Sequence, residues 1–451
     1  MKELIMKKNS LEKILGFYIV VQFLIDVATA FCVNHISESL SIGIFVRTIF
    51  MIVIVLYSLV KSDKKDRIKM IIYYGVLGAY MLAFLAISYK VHGTSFIMSQ
   101  IKGLIKTFYL PIILVAFMSL FKNENIHIKS SIFVYALMGY IAIISICKFL
   151  GISYLSYPIG NGEGTMGLFY AANEIGVIIA MLAPFLAYEL LTKKVKVVNI
   201  VALILFIFAS LELGTKVPIL SLILLSLASL YICIVKIIRK EEKTRNIRNF
   251  MATIVVCLIT VFAIPYMPIG TNLSNVYGIN IPRVLSVFSK EKNKVPVQNV
   301  PKFETKEDVE NAVYSSRTFY LKDNIKRYKD SIGLQKIAGI GYVTNNRETG
   351  ESMELKLVEM DYCDIILCHG ILGTIIYVIP YIYIIVIEFK KLLKNWKNIF
   401  IDSKNVFMEY AIIISLVVAL TAGHVFTAPA PALFLAIIMI ETNKRLKTRG
   451  E

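Results

Sequence analysis

The stretch Glu359-Met-Asp361-Tyr-Cys-Asp364, followed at once by the apolar run 365–388 and then by Lys390, Lys391, Lys394 and Lys397, decides the fold. A helix needs about 20 mostly apolar residues to cross a bilayer, and this run supplies them. The lysines after it mark the cytoplasmic side, where basic loops are retained, so the acids before it lie outside.

The same alternation extends in both directions. Apolar windows fall at 14–33, 41–60, 69–89, 103–121, 131–150, 169–190, 197–212, 216–236, 250–267, 365–388, 407–423 and 428–441, roughly twelve by the length rule, of which the seventh and last are short. Basic residues follow every second window: Lys61, Lys64, Lys65 and Arg67; Lys122 and Lys129; Lys193, Lys194 and Lys196; Arg239, Lys240, Lys243, Arg245 and Arg248; and finally Lys444, Arg445, Lys447 and Arg449. Both termini are therefore expected inside. The chain is 57% hydrophobic and only 18% charged, against about half and a quarter for soluble domains. Its net charge of +18 is explained by these loops, so no nucleic-acid partner is expected. The reading is an all-α membrane protein of about twelve transmembrane helices.

Lys7, Lys8 and Lys13 precede the first window, and Ala28-Thr-Ala30 has the small-residue look of a signal cleavage site. Removing that window would break the alternation of charge, so it reads as an uncleaved first helix. The six cysteines are scattered through or beside apolar runs and imply no disulfide framework. No Cys/His spacing calls for a metal. The cytoplasmic loops are short and lack a Gly-x-x-x-x-Gly-Lys-Ser/Thr phosphate loop. No cofactor is expected, and energy for any chemistry must arrive with the substrate.

The chain thus divides into nine helices over 1–267, an extracytoplasmic loop over 268–360, and three helices with a basic tail over 361–451. Within the loop, 270–311 is rich in Asn, Pro, Val and Lys, is broken by Pro282, Pro296 and Pro301, and reads as irregular. Residues 315–330 read as an amphipathic helix capped by Ser315 or Ser316, with Phe319, Tyr320, Ile325 and Tyr328 forming an apolar side that lies on the membrane surface. The Gly339-Ile-Gly-Tyr342 turn and a polar tip at 345–350 follow.

Ionisable groups within or beside the apolar windows are the candidates for chemistry. Arg47, Lys102, Lys106, Lys216 and Arg317 all fall toward the outer side, where clustered cations suit a pyrophosphate or other polyanionic headgroup. Each has a plainer reading: Arg47 can pair with Asp26 at similar depth, and Lys102 and Lys106 can snorkel to the surface. Lys216, in the turn Leu213-Gly-Thr-Lys216, runs against the positive-inside bias. Glu359, Asp361 and Asp364 are followed by His369. They are either a general base with its neighbours or acids suited to a helix N-terminus. His424, in Ala422-Gly-His424, and Asn173 with Glu174, behind the loop Gly160-Asn-Gly-Glu-Gly164, could line the same space. A lone His at a helix end is more often structural.

Taken together the chain resembles the O-antigen ligase and surface-polysaccharide polymerase superfamily of bacterial integral membrane enzymes. The resemblance covers most of its length. It rests on the large outer loop before the last three helices and on ordered local signatures: Gly167-Leu-Phe-Tyr-Ala-Ala-Asn-Glu-Ile-Gly176, Leu211-Glu-Leu-Gly-Thr-Lys216 with Lys in the basic position, Arg317, Gly339-Ile-Gly-Tyr342, and Gly370-Ile-Leu-Gly373. Where many members carry His-Asn before that last motif, this chain has Glu359-Met360. The resemblance implies a glycosyltransferase at the outer face of the bacterial cytoplasmic membrane. Its donor is an undecaprenyl-pyrophosphate-linked oligosaccharide, and its acceptor is a second lipid-linked repeat (polymerase) or another molecule (ligase). Membrane lipid and assembly proteins such as a flippase or chain-length regulator are the implied partners. Arg317 and Lys216 would bind pyrophosphate with help from Arg47 and Lys106, and Glu359 or Asp361 would act as base. A lipid-linked oligosaccharide flippase or secondary transporter is the rival from another class; it predicts ionisable groups near the bilayer midplane. A structural scaffold would leave the buried cations unexplained.

Overall fold

The computed structural model describes residues 2–37, 41–158, 162–277, 317–345 and 351–448. Most of the 270–311 stretch, Ser315 and Ser316, Gly160 and Asn161, and the 346–350 tip lie outside the described residues.

Every apolar window overlaps a helix. Helix α1 (Lys2–Val20) meets α2 (Gln22–His35) at a bend of 42°. There follow α3 (Ile42–Lys61), α4 (Lys64–His92), α5 (Ile97–Asn123), α6 (Ser130–Leu150), α7 (Ala172–Thr192), α8 (Val197–Glu212), α9 (Lys216–Ile238), α10 (Lys243–Ala263) and the short α11 (Pro268–Tyr277). The polar segment contributes α12 (Arg317–Asp330), α13 (Gly333–Ala338) and a hairpin of β1 (Val343–Asn345) with β2 (Ser352–Glu354), paired antiparallel with Thr344 opposite Met353. The chain closes with α14 (Asp361–Ile399), α15 (Ser403–Thr421) and α16 (Pro429–Thr448). Among the described residues nine helices are long and apolar enough to cross a membrane, ten if the bent α1–α2 pair is one span. Helix α8, at 16 residues, falls short by length, and the last third of α16 carries Glu441, Lys444, Arg445 and Lys447. The protein is an all-α membrane protein.

Backbone groups in hydrocarbon must be satisfied within the segment, which only helices achieve here. Pro111, Pro184 and Pro380 sit inside α5, α7 and α14, tolerated because neighbouring helices enclose those turns. The core is built on α5, α7 and α16. In α7, 83% of the apolar window is buried, against 11% for the span that begins with α10. Close approach depends on small residues: Gly139 of α6 receives the ring of Phe23, and Gly103 of α5 receives that of Tyr342.

The two ends of the bundle differ. At one, Lys122 meets Asp66 at 2.5 Å, Arg245 donates to the Lys193 carbonyl at 2.6 Å, and Lys444 to that of Ile126 at 3.0 Å. This basic end gathers the loops read above as cytoplasmic. At the opposite end the turn before α9 is braced by its neighbours. Asn272 of α11 donates to the carbonyls of Glu163 (2.7 Å) and Gly214 (2.8 Å), and Thr165 donates to the Glu212 carboxylate at 2.8 Å. Gly214, at φ +70°, lies where a Cβ would strike the Glu163 carbonyl.

Candidate functional site

Helix α12 packs one face onto the bundle and leaves part of the apolar side read from the sequence exposed. Phe319 and Ile325 are exposed, whereas Asn324 is buried and Leu321 and Tyr328 pack on Val358, Met360 and Leu367. Residues 317, 321, 324 and 328 share a stripe at helical spacing. The anchoring stripe therefore aims Arg317, the first residue of the helix, at the segment just before α14.

There Arg317 meets Glu359 at 3.4 Å, and the same guanidinium nitrogen donates to the Ala422 carbonyl at 3.4 Å. Glu359 also pairs with Lys356 at 2.8 Å and stands 3.8 Å from His424, an ionic contact too long for a hydrogen bond. Glu359 and His424 both have positive φ, +62° each. A side-chain-bearing residue enters that region only when its surroundings impose it. The surroundings are the next two acids. Asp364 accepts from the backbone N–H groups of Val358 and Glu359 at 2.8 and 2.9 Å. Asp361 is fully buried and accepts from the N–H groups of His424, Val425 and Phe426 and from the Thr427 hydroxyl, at 2.6–3.0 Å. The two carboxylates thus fix the backbone on either side of the Glu359–His424 contact.

Lys216, at the start of α9, is close enough to Arg317 for their charges to interact, and Tyr157 also lies within reach of Arg317. Glu174, half-buried in the first turn of α7 beside half-buried Asn173, interacts electrostatically with His424. The structure therefore brings Arg317, Lys216, Glu359, His424 and Glu174 to one end of the bundle, with Asp361 and Asp364 beneath them.

The remaining candidates are placed differently. Arg47 is buried, donating to Asp26 at 2.7 Å and to Gln22 at 2.9 Å, while Asp26 accepts from Tyr140 at 2.7 Å. Its charge is matched within this group, as the plainer reading held. Lys106 is exposed on α5, and Lys102 is half-buried there. His369 is fully buried between the hydroxyls of Tyr80 (3.1 Å) and Tyr342 (2.7 Å). The Gly339–Tyr342 turn makes this possible. Gly339, at φ +100°, lies against the Cys368 carbonyl, and the N–H groups of Ile340 and Gly341 bond the carbonyls of Leu367 and Cys368, each at 3.0 Å. The turn docks on α14 and holds Tyr342 against His369. Lys356, which the sequence reading passed over, is the nearest cation to Glu359; its spacing three residues ahead was the available signal.

Charge in the site follows from these contacts. The neighbouring His424, and after burial's opposing effect Lys356, hold the Glu359 carboxyl at about 2. For His424, burial works against the imidazolium, but Glu359, Glu174 and Asp361 outweigh it and raise the ring above its usual 6.5. A depressed carboxyl stabilises the fold above its unfolded value of 4.5, and loses that contribution as pH falls toward 2. A raised imidazole stabilises below 6.5 and loses the contribution as pH rises through its folded value. The Glu359–His424 contribution should therefore be full between about pH 4.5 and 6.5 and decline on either side. Thermal melts of the wild type and Glu359→Gln across this range check it: the gap between them should be widest near pH 5.5 and narrow toward pH 9. A gap independent of pH would refute the pairing.

No curated protein matches the chain. A family model described as O-antigen ligase like membrane protein matches residues 8–442, nearly the whole length. With every helix from α2 to α15 inside the match, the chain belongs to the O-antigen-ligase-like family of membrane proteins.

Proposed function

We propose that this protein polymerises undecaprenyl-pyrophosphate-linked repeat units into a cell-surface polysaccharide at the outer face of a bacterial cytoplasmic membrane. In this reading the chain crosses about twelve times, both termini lie in the cytoplasm, and 268–360 lies outside over the site. The observation that carries it is the juxtaposition of Arg317 and Lys216 with Glu359 and His424 at the end of the bundle opposite the basic loops. Family membership supports glycan transfer in general.

The acceptor hydroxyl attacks the anomeric carbon of the donor sugar. The bond from that carbon to the pyrophosphate oxygen breaks, and the lipid pyrophosphate leaves with the electron pair. Arg317 and Lys216 receive the charge that develops on it, which is where fixed cations contribute most. The hydroxyl proton passes to a carboxylate, and Glu359 is the acid placed for it. In its present pairing Glu359 is a weak base. An incoming pyrophosphate competes for Arg317 and Lys356 and so raises the basicity of Glu359 as the donor binds. Asp361 and Asp364 serve by holding the backbone around it.

The test is purified protein incubated with a lipid-linked repeat, its products sized on a gel. Lys216→Ala should slow chain growth about tenfold, the loss of one point charge near the leaving group. Cells carrying an inactive Arg317→Ala protein should accumulate single repeats on lipid. Accumulation of long lipid-linked polymer instead would assign the protein to ligation, the reaction that the family description names.

A further inference from the structure

A groove of about 440 Å³ lies between α7, α8, α9 and α10, a size typical of small-ligand sites. Its walls are apolar, with Leu186, Leu203, Phe206, Leu225 and Val256 among them, and Arg248 and Asn249 line it as well. We infer that it binds one acyl chain of an anionic phospholipid, with Arg248 on the lipid phosphate.

Length and charge both point to that occupant. From Arg248 to Val256 the groove follows α10 for about 12 Å, close to the half-thickness of a hydrocarbon core of about 30 Å. It therefore accommodates a chain entering from one leaflet rather than spanning both. Ser226 and Thr253 in the walls turn their hydroxyls to the carbonyls of Leu222 and Asn249, which leaves few partners for ordered water; an alkyl chain fills the space. Arg248 belongs to the basic end of the molecule. Asn249 donates to the Leu191 carbonyl at 3.2 Å and Arg245 to that of Lys193 at 2.6 Å, which sets α10 beside the exposed Lys194 and Lys196. Arg248 is itself exposed, at the end of the groove nearest the basic loops. One basic residue there favours an anionic over a zwitterionic headgroup about fivefold. A polyprenyl donor reacting at Arg317 has its pyrophosphate at the opposite end of the bundle, so the groove is separate from the candidate site. The leaflet involved follows from the topology proposed above; the binding does not depend on it.

The test uses the full-length protein in detergent, equilibrated with equal amounts of phosphatidylglycerol and phosphatidylcholine and analysed by native mass spectrometry. The wild type should retain one phosphatidylglycerol per chain, favoured about fivefold. Arg248→Gln should bring the two lipids to parity. Ala252→Trp, which fills the groove from the peripheral helix, should remove the retained lipid while the Arg248 charge is kept. Equal retention of both lipids by the wild type overturns the inference, as does undiminished phosphatidylglycerol in Ala252→Trp. Its displacement by an equal amount of undecaprenyl phosphate would assign the groove to the polyprenyl tail instead. None of these outcomes bears on glycan transfer, which is read separately.

Discussion

Replacing Arg317 with alanine is expected to abolish long glycan chains while leaving the amount of protein in the membrane unchanged. The side chain is mostly shielded, and its guanidinium bridges Glu359 on the segment before α14 and the Ala422 carbonyl after α15. Both links are long at 3.4 Å, so little folding energy rests on them. Leu321, Asn324 and Tyr328 keep α12 docked without it. What is lost is a planar fork able to hold two phosphate oxygens as the leaving group gains charge. Removing one such donor costs about 10² to 10³ in rate. Arg317→Lys keeps the charge but not the fork and should recover only part of the activity. Quantitative blotting of membranes beside gels of the surface glycan decides it: normal chain length in Arg317→Ala would sink the proposed site, and loss of the protein itself would show that Arg317 is needed for folding.

The helices were legible in the sequence because spanning a membrane is a local demand on length and apolarity, met or not met window by window. What the local pattern could not show was which side of an apolar helix faces protein. In the polar α12 segment the apolar side read for the membrane surface did not reveal the contact that docks the helix: Asn324 is buried with its amide on the Lys356 carbonyl. For the spanning helices, lipid and protein interiors are equally apolar, so hydrophobicity does not separate the two faces. The site divided along the same line. Lys216 was found because a cation on the side read as outer runs against the charge rule, and Arg317 because it heads the amphipathic segment of the polar loop, where the family resemblance places an arginine. Arg47 obeyed the same logic and proved to be held by Asp26, since depth alone does not distinguish a ligand-binding arginine from a paired one. That His424 would stand beside Glu359 was unreadable in advance. The contact exists because Asp361 gathers the loop after α15, a tertiary bond with no local signature.

Asp361→Ala should be the most destabilising single change among the candidate residues. Its carboxylate is fully buried and accepts four hydrogen bonds: three from consecutive backbone N–H groups and one from the Thr427 hydroxyl. Truncation leaves all four donors without their acceptor, two of them fully buried, and each buried unsatisfied group costs about 1–3 kcal/mol. Relaxation recovers some of this, so a net loss of about 3–5 kcal/mol is the reasonable scale, that of breaking a buried charged network. Asp361→Asn keeps one acceptor oxygen but turns an amide N–H₂ toward donors, and should fall between alanine and wild type. The two variants separate architecture from chemistry. If Asp361 acts by holding the 424–427 loop, activity in Asp361→Asn should fall in step with thermal stability, and cooling should restore both. An Asp361→Asn protein that melts like the wild type but transfers no glycan would instead make Asp361 the proton acceptor, and would move the general base from Glu359 to the carboxylate beneath it.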